Sequence, residues 1–263
     1  MKWSLRHVAE RLSRGRVIRR RLPTERGWIR WYTSPDAALG HLRWNVGVID
    51  PLLADVTARY VRPGMAVWDI GANVGLFTFL AAAWAGPEGR VLAIEPDPWL
   101  VSVCLQRTRR TLPDWCARVD IGCFALADDG AVAALRIAAR GRAANALEGF
   151  GSTQTGGIRE EVLVTTLTMD DLLERTFAPG LVKIDVEGAE WSVLRGASRL
   201  LTELRPTLVV EVSRHRDEVG RLLAEQGYRL LDAEAGYREI ERPAYNTVAV
   251  PAGRPQYAAA RRW

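Results

Sequence analysis

The chain has 263 residues, 48% of them hydrophobic and 25% charged, which is the balance of an ordinary globular protein. This length allows one large α/β domain with an extension, and no apolar run is long enough to span a membrane. The start lacks the apolar segment of a signal peptide, and Cys104, Cys116 and Cys123 form no closely spaced pair. We therefore expect a cytoplasmic protein whose cysteines are reduced core thiols.

The net charge of +5 is unevenly distributed along the chain. Residues 1–30 contain ten basic and two acidic residues, whereas the remainder contains 26 basic and 29 acidic residues. A broad nucleic-acid-binding face needs basic residues throughout the domain, so none is expected. Residues 2–21 place apolar residues among arginines at helical spacing, interrupted at Gly15, which predicts two short amphipathic helices. They would pack on the domain or on a second subunit of a homodimer, or meet a membrane or an anionic partner.

Residues 22–60 are rich in aromatic side chains. Trp28, Trp31, Tyr32 and Trp44 either line a substrate pocket or form the core of a small cap. His41 is a possible base, although a lone histidine is more often structural. Asp50-Pro51 then opens an apolar helix from 52 to 60. The predicted organisation is an arm or cap over 1–45, a main domain over 46–251 and a tail over 252–263.

The stretch from Val67 to Phe77 organises the rest of the chain. It combines an apolar strand, an acid, a glycine turn and the start of an apolar helix. Gly71 permits a tight turn, Gly75 lets the helix lie close to the sheet, and the helix start suits an anionic group. The next strand ends at Glu95, a carboxylate suited to the ribose hydroxyls of a nucleoside cofactor.

Regular alternation of strands and helices follows. It predicts a Rossmann-like, doubly wound, mostly parallel α/β sheet. Strands are expected over 117–126, 131–138, 160–166, 181–184 and 206–213, and 246–250 is expected to close the sheet, with an antiparallel edge as one option. The polar, glycine-rich loop over 139–157 is unusually long, which suggests closure over a substrate. Asp97 and Thr168 are predicted helix N-caps.

Five motifs occur in a diagnostic order: Trp68–Phe77, Ala93–Pro98, Thr168–Leu172, Lys183–Glu190 and Pro206–Glu211. Together they resemble the FkbM-type family of class I methyltransferases. The resemblance implies S-adenosylmethionine as cofactor and O-methylation of hydroxyls on natural products, sugars or glycolipids. It implies cofactor contacts at Asp69, Gly71, Ala72, Asn73, Gly75, Glu95, Pro96, Asp97, Phe124, Ala125 and Asp185. The run from Leu105 to Arg109 departs from the Asn-x-x-x-Asn pattern of similar proteins, which leaves side-chain roles of that helix undefined.

Methyl transfer to an alcohol requires a group that favours the alkoxide. In one arrangement Asp185 and Glu211, at the ends of adjacent strands, bind a divalent cation such as Mg²⁺. In the other, Asp185, Glu211 or His215 removes the proton, with Lys183 as electrostatic partner. Because strand side chains alternate, Lys183 and Asp185 point to the same face, and a purely structural ion pair between them is the other interpretation.

Two rival functions stay open at this stage. The basic leader is compatible with a methyltransferase acting on RNA or protein, and the fold with a non-catalytic cofactor-binding scaffold. An NAD-dependent dehydrogenase is disfavoured because the three-glycine fingerprint is missing.

Overall fold

The computed structural model describes residues 5–42, 50–151 and 155–253. Trp3, Trp44 and most of the predicted tail lie outside them. The helices are α1 (Leu5–Ser13), α2 (Pro51–Tyr60), α3 (Leu76–Ala85), α4 (Pro98–Leu100), α5 (Gln106–Arg109), α6 (Met169–Arg175), α7 (Glu190–Arg195) and α8 (Arg216–Glu225). The strands are β1 (Ile18–Thr24), β2 (Gly27–Thr33), β3 (Ala66–Ile70), β4 (Arg90–Ile94), β5 (Arg118–Gly122), β6 (Ala125–Leu126), β7 (Val132–Ala138), β8 (Ala146–Leu147), β9 (Ile158–Leu167), β10 (Leu181–Ile184), β11 (Thr207–Glu211), β12 (Tyr228–Asp232), β13 (Arg238–Ile240) and β14 (Asn246–Pro251). A π-helical turn, Val101–Leu105, joins α4 to α5, and another covers Leu200–Leu204.

The main sheet has eight strands in the order β13-β12-β14-β11-β10-β3-β4-β5. The five strands from β11 to β5 are parallel, and β14 runs antiparallel to both of its neighbours. This confirms the Rossmann-like fold predicted from the sequence. The expectation that β14 lies at an edge is wrong, since it pairs with β11 on one side and β12 on the other. Its run of five buried residues fits this interior position.

Helices cover both faces of the sheet, as a doubly wound fold requires. Successive residues of β3 alternate between the two cores, with Val67 on the side of α3 and Trp68 on the side of α7 and α8. Eight of the ten residues of α3 are buried, which explains why its sequence is apolar on every side. The parallel strands therefore end together at one edge, and their carboxyl ends form the floor of the candidate site.

A smaller sheet lies beside the main one, with strand order β6-β9-β7-β8. The predicted strand over 117–126 is in fact divided, because β5 ends at Gly122 and residues 125–126 pair with β9. β7 and β9 confirm the strands predicted over 131–138 and 160–166. The predicted capping box is present, with Thr168 Oγ1 accepting from the Asp171 N–H and Asp171 accepting from the Thr168 N–H.

The N-terminal extension differs from its prediction. α1 ends near Gly15 as expected, but the second predicted helix is wrong, because residues 18–33 form the antiparallel hairpin β1-β2. Leu22, Ile29 and Trp31 are buried against the main core, while intervening arginines point outward. This alternation every two residues is the periodicity of a strand, and the many arginines make it hard to recognise in the sequence. The Trp31 Nε1–H donates to the Val74 carbonyl at 2.8 Å and so fixes the hairpin to the start of α3.

The cysteines match their prediction only in part. All three are free, and Cys104 and Cys116 are buried, where desolvation raises the pKa of each thiol to about 12. Cys123 is exposed, contrary to the expectation of a core thiol. Among the helices of the described ranges, none has the length and apolar character needed to cross a membrane.

Candidate active site

The glycine turn after β3 approaches the neighbouring strand too closely for any side chain. Gly71 has a φ of 77°, and a Cβ on it would lie 1.8 Å from the Asp185 carbonyl oxygen. Gly75, at φ 81°, begins α3, and a Cβ there would lie 2.4 Å from the ring of Phe79. Gly75 supplies no capping side chain and the first turn of α3 has no acid, so the amide-rich end of α3 is available to an anionic group.

Glu95 joins the loops that follow β3 and β4. Its Oε2 accepts from the Asn73 N–H at 2.7 Å, and its Oε1 accepts from the Asp97 N–H at 2.9 Å. The side chain is almost fully buried, and this burial raises the pKa of Glu95 to about 7 despite the two N–H donors. Each carboxylate oxygen keeps a further lone pair for a ligand hydroxyl. Asn73 has a φ of 51°, and its buried Oδ1 has no hydrogen-bond partner among the described residues.

A cavity that is partly open to solvent lies above this floor. Most of the predicted cofactor residues line it, namely Gly71, Asn73, Glu95, Pro96, Phe124, Ala125 and Asp185. Phe124 and Ala125 form an apolar wall together with Leu135 and Leu147 of the smaller sheet. Ala72 and Gly75 belong to the turn, and neither they nor Asp69 and Asp97 line the cavity directly.

Asp69 and Lys183 act beneath the turn. The Lys183 Nζ lies 3.2 Å from Asp69 Oδ1 and 3.2 Å from Asp185 Oδ2, and it donates to the Gly71 carbonyl at 3.2 Å. Burial lowers the pKa of Lys183, but the two carboxylates outweigh it and raise the pKa above its ordinary value. Asp69 also accepts from the Thr78 Oγ1–H at 2.5 Å. The electrostatic pairing predicted for Lys183 is present and holds the glycine turn in place. The Lys183 side chain itself does not line the cavity.

Three carboxylates converge at the carboxyl edge of the sheet. Asp185, Glu187 and Glu211 each place an oxygen within 4.8 Å of the others. Burial, then the charges of Asp185, Glu211 and Glu190, raise the pKa of Glu187 to about 8. Burial and Asp185 raise the pKa of Glu211 to about 7, although Glu211 accepts a hydrogen bond from the Tyr245 hydroxyl. Glu187 sits at φ 50°, a strained conformation for a side chain that is typical of functional sites.

The sequence prediction missed Glu187, although it lies in the motif that supplied Asp185. The strand ends at Ile184, so strand alternation does not tell where Glu187 points, and only the left-handed turn brings it beside Glu211. Glu190 is structural, because it is buried and accepts from the Gly188 N–H at 2.7 Å and the Ser213 hydroxyl at 3.1 Å.

The two histidines considered as bases lie outside this cluster. His215 is 49% exposed, lies 3.5 Å from Glu218 at the start of α8, and does not line the cavity. The structure therefore does not bring His215 together with the three carboxylates, and its catalytic role stays a prediction. His41 is buried edge-on against Trp31, and desolvation lowers its pKa to about 4. It is a neutral core residue, and Trp31 belongs to the core rather than to a substrate pocket.

Arg142, which the sequence did not single out, fastens the predicted long loop over the cavity. Its guanidinium is 10% exposed and lies between two buried carboxylates, 3.2 Å from Asp36 and in direct contact with Asp97. Asn145 also donates to Asp97, at 2.8 Å. Asp97 caps α4 as predicted, by accepting from the N–H groups of residues 99 and 100. Asp36 also binds Arg159 through two hydrogen bonds of 2.9 and 3.0 Å. The N-terminal extension is thus tied to the cavity through a buried ion network.

A second, wider cleft adjoins the carboxylates. It is lined by segments of the N-terminal extension, the long loop and the end of β11, including Ala37, Gly40, Arg140, Ser213, Arg214 and Tyr245. Glu187 and Ala143 line both this cleft and the cavity above the glycine turn. Of the three carboxylates, Glu187 is therefore reached from two sides.

A mostly parallel sheet with a glycine turn after β3, an acid after β4 and a cavity at its carboxyl edge defines a Rossmann-like α/β protein. The model of the FkbM methyltransferase domain matches residues 69–238. The chain belongs to this family of methyltransferases.

One curated relative is the hexuronic acid methyltransferase AglP of Haloferax volcanii. It is 27% identical over 163 residues, which cover 60% of this chain and 61% of AglP. Among solved structures, the FkbM methyltransferase of Methylobacillus flagellatus has 20% identity and a TM-score of 0.48, over 70% of this chain and 43% of that one. A SAM-dependent O-methyltransferase of Thermotoga maritima has 13% identity and a TM-score of 0.43, over 92% and 79%. The chain thus spans less than two thirds of the length of the first two proteins.

Proposed function

We propose that the protein transfers a methyl group from S-adenosylmethionine to a hydroxyl of a small, sugar-like molecule. The observation that carries this proposal is Glu187, which lies where the cofactor cavity meets the second cleft, within 4.8 Å of two further carboxylates. One ligand would occupy each space, with the reacting atoms between them.

The cavity fits the proposed cofactor. Glu95 would accept from the ribose hydroxyls, and the apolar wall of Phe124 and Ala125 suits an adenine ring. The buried Asn73 Oδ1, which has no partner within the described ranges, and the open start of α3 suit the amino and carboxylate groups of the methionine end. Such a cofactor supplies an electrophilic methyl group.

The carboxylates support a hydroxyl acceptor. An alcohol is a poor nucleophile until its proton leaves, and carboxylates with pKa values raised towards 7 and 8 are bases matched to neutral pH. The hydroxyl proton would pass to one of these carboxylates while the acceptor oxygen takes the methyl group; the S–CH3 bond of the sulfonium would break in the same step and leave S-adenosylhomocysteine. The same side chains would repel an acceptor that reacts through its own carboxylate.

Carboxyl methylation is nevertheless a second candidate, because AglP is named as acting on a hexuronic acid. The two reactions differ in product, since hydroxyl methylation gives an ether that survives alkali and carboxyl methylation gives an ester that alkali hydrolyses.

A divalent cation offers another way to activate the hydroxyl. The carboxylate oxygens of Asp185, Glu187 and Glu211 lie within 4.8 Å of one another and are hard ligands that could hold Mg²⁺, which would lower the pKa of a bound hydroxyl. The three side chains would then be ligands rather than proton acceptors, and activity would disappear with a chelator and return with Mg²⁺.

The test uses methyl-labelled S-adenosylmethionine with methyl glucoside and methyl glucuronoside as probes, with and without a chelator. We expect label in an alkali-stable product, and loss of cofactor binding in Glu95→Ala. An alkali-labile product would replace hydroxyl methylation by carboxyl methylation. Binding of NAD without S-adenosylmethionine or S-adenosylhomocysteine would refute the proposal.

A further inference from the structure

The β1-β2 hairpin presents a basic outer face. Directly opposite residues of an antiparallel pair share a face, and Arg21 pairs with Arg30 while Arg19 pairs with Tyr32. Arg19, Arg21 and Arg30 are exposed, and Trp28, at the turn end of the same face, is 47% exposed. The opposite face carries the buried core residues of the extension, whereas these three arginines and Trp28 are open to solvent in the part of the chain that the structure describes.

The end of α5 extends this surface. The Tyr32 N–H donates to Thr108 Oγ1 at 2.9 Å, which holds the helix against β2. The Arg107 guanidinium lies 4.8 Å from the centre of the Tyr32 ring. Arg107 is 75 positions from Tyr32, so only the fold unites these charges. We define the basic face as Arg19, Arg21, Trp28, Arg30, Tyr32 and Arg107. Over the ranges 5–42, 50–151 and 155–253, none of its four arginines forms an ion pair with a carboxylate.

We propose that the basic face docks the protein onto an anionic lipid bilayer. Arginine stems bury their methylene groups at such an interface while their guanidinium groups reach the headgroups, and tryptophan favours the same depth. α1, which directly precedes the hairpin, exposes Val8 and Leu12 by 44% and 61%. Exposed aliphatic side chains beside arginines suit an interface with an apolar interior.

Nucleic acid fits the same surface less well. Arg21 covers one face of the Trp28 ring at 4.8 Å, and Arg107 covers a face of Tyr32, so these rings are engaged by cations rather than open to stacked bases. The aliphatic side chains on α1 would also gain nothing from phosphate. This inference does not depend on the proposed function, because no residue of the basic face lines the cofactor cavity or the second cleft.

The test is flotation of the full chain with vesicles of equimolar phosphatidylcholine and phosphatidylserine, or of phosphatidylcholine alone. Each arginine near an anionic surface is worth about fivefold in partitioning, so Arg19→Glu/Arg21→Glu is expected to weaken binding by at least about 25-fold. The matched control is Arg221→Glu/Arg238→Glu, which changes the net charge equally at exposed sites away from the hairpin. We expect the control to bind like the wild type, and added salt to release both.

Three results would overturn the inference. The first is absence of binding to the anionic vesicles at low salt. The second is equal loss in the two double variants, which would reduce the effect to net charge. The third is binding of single-stranded RNA, lost in Arg19→Glu/Arg21→Glu, by a protein that ignores vesicles; this would reassign the face to nucleic acid.

Discussion

Replacing Arg142 by glutamine tests the ion network that holds the long loop over the cofactor cavity. The side chain is 10% exposed and serves two carboxylates, Asp36 and Asp97, that are 3% and 1% exposed. It also lies over the Trp99 ring, 4.5 Å from its centre. Glutamine keeps much of the length but supplies no charge, so both carboxylates lose their shared cation without a large cavity being formed.

Removing one partner of a buried ion pair costs about 3–5 kcal/mol, because the remaining charge is left uncompensated. Here the lower end applies. Asp36 keeps its two hydrogen bonds from Arg159, and Asp97 keeps Asn145 and the backbone N–H groups that it caps. We therefore expect a loss of about 3 kcal/mol in the free energy of unfolding. We also expect weaker binding of S-adenosylhomocysteine, on the order of tenfold, since the loop forms part of the cavity wall.

Urea unfolding and calorimetric titration measure the two quantities. Arg136→Gln is the control. Arg136 lies on β7 of the smaller sheet and also pairs with two carboxylates, Glu148 and Glu161, but its side chain is 34% exposed. Its loss should cost less than about 1 kcal/mol. If the two variants lose equal stability, or if Arg142→Gln binds the ligand like the wild type, the network does not fasten the loop.

Three further predictions concern the floor of the site. Gly71→Ala should abolish binding of S-adenosylhomocysteine, because its Cβ would meet the Asp185 carbonyl at 1.8 Å. Lys183→Met should lower the free energy of unfolding by about 3–5 kcal/mol, because Asp69 is left buried without its cation. The pKa of Glu187 is raised to about 8, so between pH 4.5 and 8 the folded protein holds a proton that the unfolded chain has released. The free energy of unfolding should therefore fall as the pH increases towards 8. Methyl transfer should rise over the same range, because Glu187 becomes an unprotonated base.

The controls are specific to each change. Gly236→Ala has a similar φ, 68°, with nothing within 4 Å of the added Cβ, so it should retain ligand binding and lose only about 1 kcal/mol of stability. Lys183→Arg keeps the charge and should lose less stability than the methionine variant. Glu187→Gln should flatten the pH dependence of thermal unfolding, and an unchanged slope would contradict the assignment of that proton to Glu187.

The sequence was sufficient for those parts of the site in which a local motif contains its own geometry. The glycine turn, the acid after β4 and the lysine–aspartate pair on β10 each follow from strand alternation and turn chemistry. The prediction failed where contacts join distant segments. Arg142 meets Asp36 across 106 positions, and nothing near either residue marks the pair.

The extension and the end of the chain illustrate two other reasons. In β1 the spacing of arginines and apolar residues also fits a helix, because a short segment can satisfy both periodicities. β14 was expected at an edge because a last strand often lies there, but pairing between β11 and β12 is set by the fold of the entire sheet.

The segment that matches the family model, residues 69–238, is not a structural unit that could be transplanted between relatives on its own. A fragment of residues 69–238 lacks β14, and so leaves a gap inside the sheet with unpaired edges on β11 and β12. It also lacks Asp36, and so leaves Arg142 and Arg159 without the counter-ion that they share. A chimera that combines this domain with another extension will need an acid at the position of Asp36, whatever else that extension contains.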